Sequence, residues 1–173
     1  MRKRLTCLML AMLLCGCSTG IQLKKQTFTI ELGKDIYANP SLYVKDTIDV
    51  SSLNVVSNSI GIEKKDNRFV TSGMDYLVVG EYDFSIVDGK TEYPFVIKVK
   101  DTVAPVCSGN VSQITVAQYS NIDWNSYFNA SDLSGVTFET NVDTSQVGTQ
   151  DVTVKISDRF GNSVTKNVSV VVE

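Results

Sequence analysis

Residues 152–172 read VTVKISDRFGNSVTKNVSVVV, two runs of alternating apolar residues joined by a turn. Val152, Val154 and Ile156 alternate with polar residues in the first run, and valines return at alternate positions in the second. Because successive side chains of a strand point to opposite faces, each run predicts a strand with one buried face. Residues 158–162 contain the aspartate, glycine and asparagine that are typical of tight turns, so the segment predicts a β-hairpin.

The rest of the mature chain has the same character. Phe28 and Ile30 alternate with polar residues, and Asp88-Gly89 predicts the turn of another hairpin. Valine, threonine, serine and asparagine are plentiful, and no segment has a long helical period; one helical turn is predicted after Asp123 as N-cap. Short strands with turn signals at this spacing predict an all-β fold made of β-sandwiches.

The sequence contains an internal repeat. Two pairs of segments align without gaps: residues 29–46 on 115–132, and residues 75–80 on 143–148. The second block ends at Gly80 in one copy and at Gly148 in the other, and in each copy a strand, a turn and a final strand follow. The chain therefore predicts two copies of one structural module.

The repeat also predicts the domain organisation. Residues between Thr47 and Met74 have no counterpart in the second copy, and they predict one extra hairpin in the first. The copies meet next to Pro105, which stiffens the joint. The predicted units are a signal peptide (1–16), a tether (17–25), a first domain with a mid-domain insertion (26–101) and a second domain (102–173).

Three motifs mark the second copy: Asp101-Thr102-Val103-Ala104-Pro105 at its start, Val147-Gly148-Thr149-Gln150 before a strand, and Asp158-Arg159-Phe160-Gly161-Asn162 in the last hairpin. In this pattern the copy resembles the bacterial Ig-like domains that occur in tandem in surface and secreted proteins, of the type first noted in a pesticidal crystal protein. The first copy matches at both ends and departs from the pattern in its middle. The resemblance implies two tandem Ig-like β-sandwich domains that act as a non-enzymatic binding or adhesion unit, or as a spacer.

The N-terminus has the pattern of an export signal. Arg2, Lys3 and Arg4 precede an apolar run at residues 5–14, which is too short to span a bilayer as a mature helix. Leu14-Cys15-Gly16-Cys17 follows and resembles the lipobox of bacterial lipoproteins. The resemblance implies that residues 1–16 are removed and that Cys17 carries the lipid. An ordinary signal peptide and an uncleaved anchor are the alternatives.

This interpretation places the mature protein outside the cytoplasm, on the cell surface or in the periplasm, and makes the membrane its partner through the lipid on Cys17. Loss of Arg2, Lys3 and Arg4 leaves 13 basic against 19 acidic residues, a net charge of −6, which argues against nucleic acid as a partner. The chain has no histidine, so it has no Ser-His or Cys-His pair and no histidine-containing zinc site. We therefore expect no enzymatic activity.

Three aspartates form the candidate metal site. In an Ig-like sandwich, the first strand starts at the pole where the loop between the second and third strands and the last hairpin also lie. Asp101, Asp132 and Asp158 occupy these elements in the second domain, and carboxylates from different loops are suitable ligands for Ca²⁺, the one cofactor that the sequence suggests. The alternative is that each aspartate caps its own turn through backbone N–H groups.

Aromatic residues form the candidate ligand site. Trp124, Tyr127 and Phe128 follow Asp123 at the spacing of one helical turn. Trp124 and Tyr127 are candidates for a platform that stacks on a polysaccharide or contacts a protein, and Trp124 is expected to be the more exposed. The alternative is core packing beneath the sheet. The alternative function is a carbohydrate-binding or cell-wall-associated accessory protein, in which Trp124 is an anchor.

Overall fold

The computed structural model describes residues 20–173, so the predicted signal peptide and Cys17 lie outside the described residues. Strands dominate this part of the chain, with one short α-helix and one 3₁₀ turn. Between residues 20 and 173, no helix has the length and apolar character needed to cross a membrane.

The first domain packs two sheets face to face. Its strands are β1 (Thr27–Glu31), β2 (Ile36–Tyr37), β3 (Asn54–Ser57), β4 (Ile62–Lys65), β5 (Arg68–Thr71), β6 (Gly80–Asp88) and β7 (Thr91–Lys100). One sheet has the order β1-β7-β6-β3, in which β1 and β7 are parallel, and the other has the order β2-β5-β4. Phe69 of β5 meets Phe84 of β6 edge to face, with ring centroids 4.9 Å apart, so the two sheets share one core.

The second domain repeats the larger sheet. Its elements are β8 (Val106–Cys107), β9 (Gln113–Val116), α1 (Trp124–Phe128), β10 (Ala130–Ser131), β11 (Thr137–Glu139), β12 (Gly148–Ser157) and β13 (Ser163–Val172). The four-stranded sheet has the order β11-β12-β13-β9, in which β13 and β9 are parallel, and β8 pairs with β10. Trp124 and Phe128 of α1 belong to the same buried cluster as the inward valines of β12 and β13.

The register of the sheets reproduces the sequence repeat. Gly80 pairs with Val99, which also pairs with Ile30 of β1. Gly148 pairs with Val172, which also pairs with Val116 of β9. The prediction of an all-β fold with two tandem Ig-like sandwiches is therefore confirmed, and each sandwich has its own buried apolar cluster.

The mid-domain insertion of the first domain, which has no counterpart in the second, contains a hairpin, β4–β5. Its two turn residues, Asp66 and Asn67, have φ angles of 48° and 63°. Asparagine and aspartate tolerate this left-handed conformation, and two successive residues in it match the right-handed twist of the flanking strands. The hairpin completes the smaller sheet through β5, which pairs with β2.

The start of the first domain differs from the predicted boundary. Residues up to 25 are predicted as a tether, but Ile21 and Leu23 pack against the first core and Leu23 forms a bridge with Val44. The Lys24 N–H also donates to the Tyr43 carbonyl at 2.7 Å. The reason is burial, because two apolar side chains at alternate positions gain more from the core than from solvent.

Candidate functional site at the joint between the domains

Three strand ends bring the acidic side chains to the joint. β7 ends at Lys100 just before Asp101, β10 ends at Ser131 just before Asp132, and β12 ends at Ser157 just before Asp158. Each aspartate offers a carboxylate oxygen, and the three oxygens lie within 4.8 Å of one another. The structure therefore brings together all three predicted metal ligands.

Each of these carboxylates also has protein hydrogen-bond donors. The Ser134 N–H donates to Asp132 Oδ1 at 2.7 Å, and the Ser134 hydroxyl donates to Asp101 Oδ2. Asp158 Oδ1 accepts from the Phe160 N–H at 2.7 Å and the Asn162 N–H at 3.0 Å. Asp132 and Asp158 thus cap their own turns, as the alternative interpretation expects, while they also face the other acids.

Asp158 is the most buried of the three acids, with 5% of the residue exposed. Burial acts to raise the pKa of the Asp158 carboxyl, but hydrogen bonds from the Asn162 side chain and from the Phe160, Asn162 and Gly161 backbone act to lower it. The hydrogen bonds prevail, and the pKa lies below its ordinary value. These hydrogen bonds therefore stabilise the ionised form of the Asp158 carboxyl.

No basic side chain pairs with this cluster among residues 20–173. The five ion pairs in this part of the chain use the carboxylates of other residues: Asp35, Asp46, Asp75, Glu81 and Glu139. Three carboxylates at close range repel one another when no cation lies among them. Their oxygen atoms are the hard donors that Ca²⁺ prefers, so the donor set fits this ion.

A second set of contacts fixes the joint from the side of the first domain. The Glu31 carboxylate accepts from the Thr102 N–H and from the Thr102 hydroxyl, both at 2.7 Å. The backbone hydrogen bond from Thr102 is the main reason that the pKa of Glu31 is lowered. Asn162 Nδ2 donates to the Asp101 carbonyl at 3.1 Å, so both domains hold the linker.

Apolar packing accompanies these hydrogen bonds. A cleft of about 200 Å³ at the joint is lined by Leu32 and Lys34 of the first domain and by Val103 and Leu133 beyond β7. Gly33 has a φ of 78°, and a Cβ atom there would lie 2.6 Å from Leu133 Cδ1. Glu31, Gly33 and Ser134 were not identified from the sequence as residues of the joint. Of the three, only Ser134 could have been found from the sequence, because the Asp-x-Ser spacing of Asp132 and Ser134 is typical of a capped turn.

The aromatic candidates are buried rather than displayed. α1 begins at Trp124 with Asp123 as N-cap, since Asp123 Oδ1 accepts from the Asn125 N–H at 3.1 Å. Trp124 is 6% exposed and Phe128 is 0% exposed, and their rings stack with centroids 6.1 Å apart. The expectation that Trp124 is the more exposed residue is wrong, because the helical turn directs its ring into the apolar cluster. Tyr127 is half-buried, so Trp124 and Tyr127 present no open stacking platform.

Cys17, the predicted lipidation site, lies outside the described residues. Within them, Cys107 is a free cysteine in β8 and is half-buried. Because the chain has no histidine, this thiol has no imidazole partner.

Comparisons with known proteins define no family. No protein-family model and no curated protein matches the chain. Solved structures match the chain only at low identity. Human mucin-like protocadherin EC1-2 is 10% identical, with a TM-score of 0.33 over 89% of this chain and 98% of that chain.

Two further structures cover similar parts of this chain. Fibronectin(III)-like modules of Clostridium thermocellum CbhA are 16% identical, with a TM-score of 0.29 over 89% of this chain and 93% of that chain. An endo-fucoidan hydrolase of glycoside hydrolase family 107 is 14% identical, with a TM-score of 0.29 over 88% of this chain and 28% of that chain. The class assignment, a protein of two Ig-like β-sandwiches in series, rests on the strand order and register described above.

Proposed function

We propose that the protein is a lipid-anchored, extracytoplasmic lipoprotein whose two Ig-like domains form a non-enzymatic binding or adhesion unit or a spacer. The arrangement of the domains supports this proposal. Residues 21–24 pack on the first domain, and the second domain follows through a joint held by Glu31 and Thr102. A lipid on Cys17 would lie a few residues before the first domain, so the second domain would be held away from the membrane.

The anchor is tested by changing Cys17 to serine in the full-length chain and fractionating the cells. We expect Cys17→Ser to release the protein from the membrane fraction or to leave the precursor unprocessed, because serine has no thiol to acylate. Cys107→Ser is the matched control, since Cys107 lies in β8 of the second domain, and it should leave the membrane fraction unchanged. Normal processing and membrane retention in Cys17→Ser would rule out the lipid anchor.

We also propose that the joint binds Ca²⁺ through Asp101, Asp132 and Asp158. The supporting observation is the convergence of their three carboxylates within 4.8 Å. A cation there would remove the repulsion among the acids. It would also connect the linker to two loops of the second domain, which would stiffen the joint.

Thermal unfolding of the full-length protein with and without millimolar calcium tests this site. Binding to the native state alone stabilises it by about 2.7 kcal/mol when calcium is a hundredfold above its Kd. Each kcal/mol raises the Tm of a domain of this size by roughly 4–8 °C. The calcium-induced shift should vanish in Asp158→Asn and persist in Asp151→Asn, an exposed position of β12. A Tm that does not respond to calcium would leave the aspartates as turn caps only.

A further inference from the structure

The pole of the second domain opposite the joint carries a separate cluster of loops. β12 runs from Gly148 to Ser157 and β13 returns from Ser163 to Val172, so Gly148 and Val172 mark the end that faces away from the first domain. The segments that follow β9 and β11 belong to this end. The Gln118 N–H donates to the Glu173 carbonyl at 2.9 Å, and the Tyr119 N–H donates to the Thr144 carbonyl at 2.9 Å. We call this end the distal pole.

A groove of about 630 Å³ lies between these two segments. The lining includes the polar residues Ser120, Asn121, Thr140 and Thr144 and the aromatic residues Trp124 and Phe138. Its volume is within the range of small-molecule sites, and its combination of apolar surface with a few hydrogen-bonding groups is also typical of such sites.

One buried polar atom in the lining has no partner. Ser120 Oγ is inaccessible to solvent and makes no hydrogen bond to any described residue. Buried hydroxyl groups are nearly always hydrogen-bonded, and an unpaired one destabilises the folded state. A ligand in the groove would satisfy Ser120 Oγ if the side chain turned toward it.

Tyr119, which precedes the lining residue Ser120 in the chain, shows a second, independent irregularity. Its φ angle is 62°, and 75% of the residue is exposed. The left-handed region is unfavourable for a bulky residue, and such outliers concentrate at functional sites. Two hydrogen bonds to the neighbouring segment hold it: the Tyr119 N–H bonds the Thr144 carbonyl, and Gln118 Nε2 bonds the Ser145 carbonyl at 2.7 Å. The fold thus displays an aromatic ring to solvent in spite of a backbone cost.

The charged residues of the groove lining indicate which class of ligand it suits. No lysine or arginine lines it within the described part of the chain, which disfavours phosphate, sulfate and carboxylate ligands. Asp123 is the charged residue of the lining, and its Oδ1 already accepts from the Asn125 N–H. Hydroxyl and amide groups beside aromatic rings suit an uncharged, polyhydroxylated ring with an apolar C–H face.

We propose that the distal pole binds a neutral saccharide, with the exposed Tyr119 as a stacking surface next to the groove and Asn121, Thr140 and Thr144 as hydrogen-bonding groups. This inference rests on the proposed role of the protein as a binding unit and names the site for it. The site differs from a platform of Trp124 and Tyr127, because Trp124 contributes only a small exposed surface.

The groove contains its own spectroscopic probe. Trp124 is the single tryptophan of the chain and lines the groove, so a ligand there changes its emission. Full-length protein in a non-glycosidic detergent is titrated with neutral oligosaccharides of glucose, xylose, mannose and N-acetylglucosamine. We expect at least one of these sugars to give a saturable change in Trp124 fluorescence.

Two variants at the distal pole and one control variant test whether this pole is the saccharide site. Tyr119→Asn removes the ring while it keeps a residue that tolerates a left-handed backbone, and Asn121→Ala removes an exposed amide. Each should weaken binding by about tenfold or more, the equivalent of about 1.4 kcal/mol. Tyr37→Asn, which removes an exposed tyrosine of the first domain, should bind as the unchanged protein does.

The outcomes separate this inference from the function on which it rests. If none of the oligosaccharides changes the emission of Trp124, the proposed saccharide site is wrong, while the anchor test with Cys17→Ser is unaffected. If a sugar binds equally well to Tyr119→Asn and Asn121→Ala, the protein is a saccharide-binding unit but the distal pole is not its site.

Discussion

Phe128 and Leu42 occupy the same position of the sequence repeat but not the same environment. Phe128 is 0% exposed and its ring stacks on Trp124 at 6.1 Å, whereas Leu42 is 46% exposed in the 3₁₀ turn Pro40–Leu42. Truncation of each residue to alanine therefore compares a core position with a surface position at matched points of the repeat. The sequence alignment alone predicts that the two truncations lower the free energy of unfolding by similar amounts, whereas the structure predicts unequal amounts.

The expected magnitudes follow from burial. Phe128→Ala removes a fully enclosed ring and leaves a cavity, at a cost of about 3–5 kcal/mol. A domain of roughly 70 residues has a total stability of about 4–11 kcal/mol, so this single change removes a large part of it. Leu42→Ala removes a side chain that is already half in solvent and leaves no cavity, so its cost is about 1 kcal/mol or less.

Urea unfolding of the second domain is followed through the fluorescence of Trp124, because this residue is the only tryptophan and is buried there. Stability of the first domain is followed through hydrogen exchange of the β6 and β7 amides. Phe128→Ala should shift the Trp124 transition strongly and leave the exchange of β6 and β7 unchanged. Equal costs for Phe128→Ala and Leu42→Ala would refute the assignment of Phe128 to the core, and loss of protection in β6 and β7 would refute the division into two independent domains.

The remaining predictions concern the same two domains. A fragment of residues 102–173 should unfold cooperatively, because its apolar cluster lies within residues 107–172; a disordered NMR spectrum beside a folded full-length chain would contradict the predicted boundary. Stability should be level between about pH 5 and pH 8, since the chain has no histidine, and should fall below roughly pH 4. The pKa values of Glu31, Asp143 and Asp158 are lowered in the folded state, so the unfolded state binds more protons in acid and their stabilisation is lost as the pH falls through the folded pKa values. Measuring the free energy of unfolding as a function of pH tests the direction of this change. The loss of stability in acid should be smaller in Asp158→Asn, and a stability that rises below pH 4 would contradict this account.

Much of the fold was accessible from local sequence patterns. The alternation in residues 152–172 predicts β12 and β13 with their buried valines, and the Asp88-Gly89 turn predicts the connection between β6 and β7. Asp123 was predicted as the N-cap of a single helical turn, and it caps α1. These features are local, because strand alternation, turn residues and capping depend on neighbours within a few positions of the chain.

The burial of individual aromatic residues could not be predicted from local sequence patterns. The spacing of Trp124, Tyr127 and Phe128 fits either a core cluster or an exposed platform. The choice depends on which face of α1 meets the valines of β12 and β13, and this contact joins residues far apart in the chain. Burial of apolar surface decides it, and sequence spacing alone does not specify the partner surface.

At the joint, too, the sequence predicted only part of what the structure shows. The motifs around Asp101, Asp132 and Asp158, together with the Ig-like topology that they suggest, placed the three acids at one pole. Their separation within 4.8 Å, the hydrogen bond of Ser134 to Asp101 and the contact of Glu31 with Thr102 depend on the register of non-adjacent strands.

The sequence by itself determined the alternation of the strands and the turns, because each depends on residues close together along the chain, and its internal repeat predicted two copies of one module. Only the tertiary structure decided that Trp124 is buried, that Phe128 and Leu42 differ in burial, and that Ser120 and Thr144 line one groove at the distal pole. The physical reason is that burial and the meeting of loops arise from the packing of distant segments, and one residue of register shift would send each side chain to the opposite face.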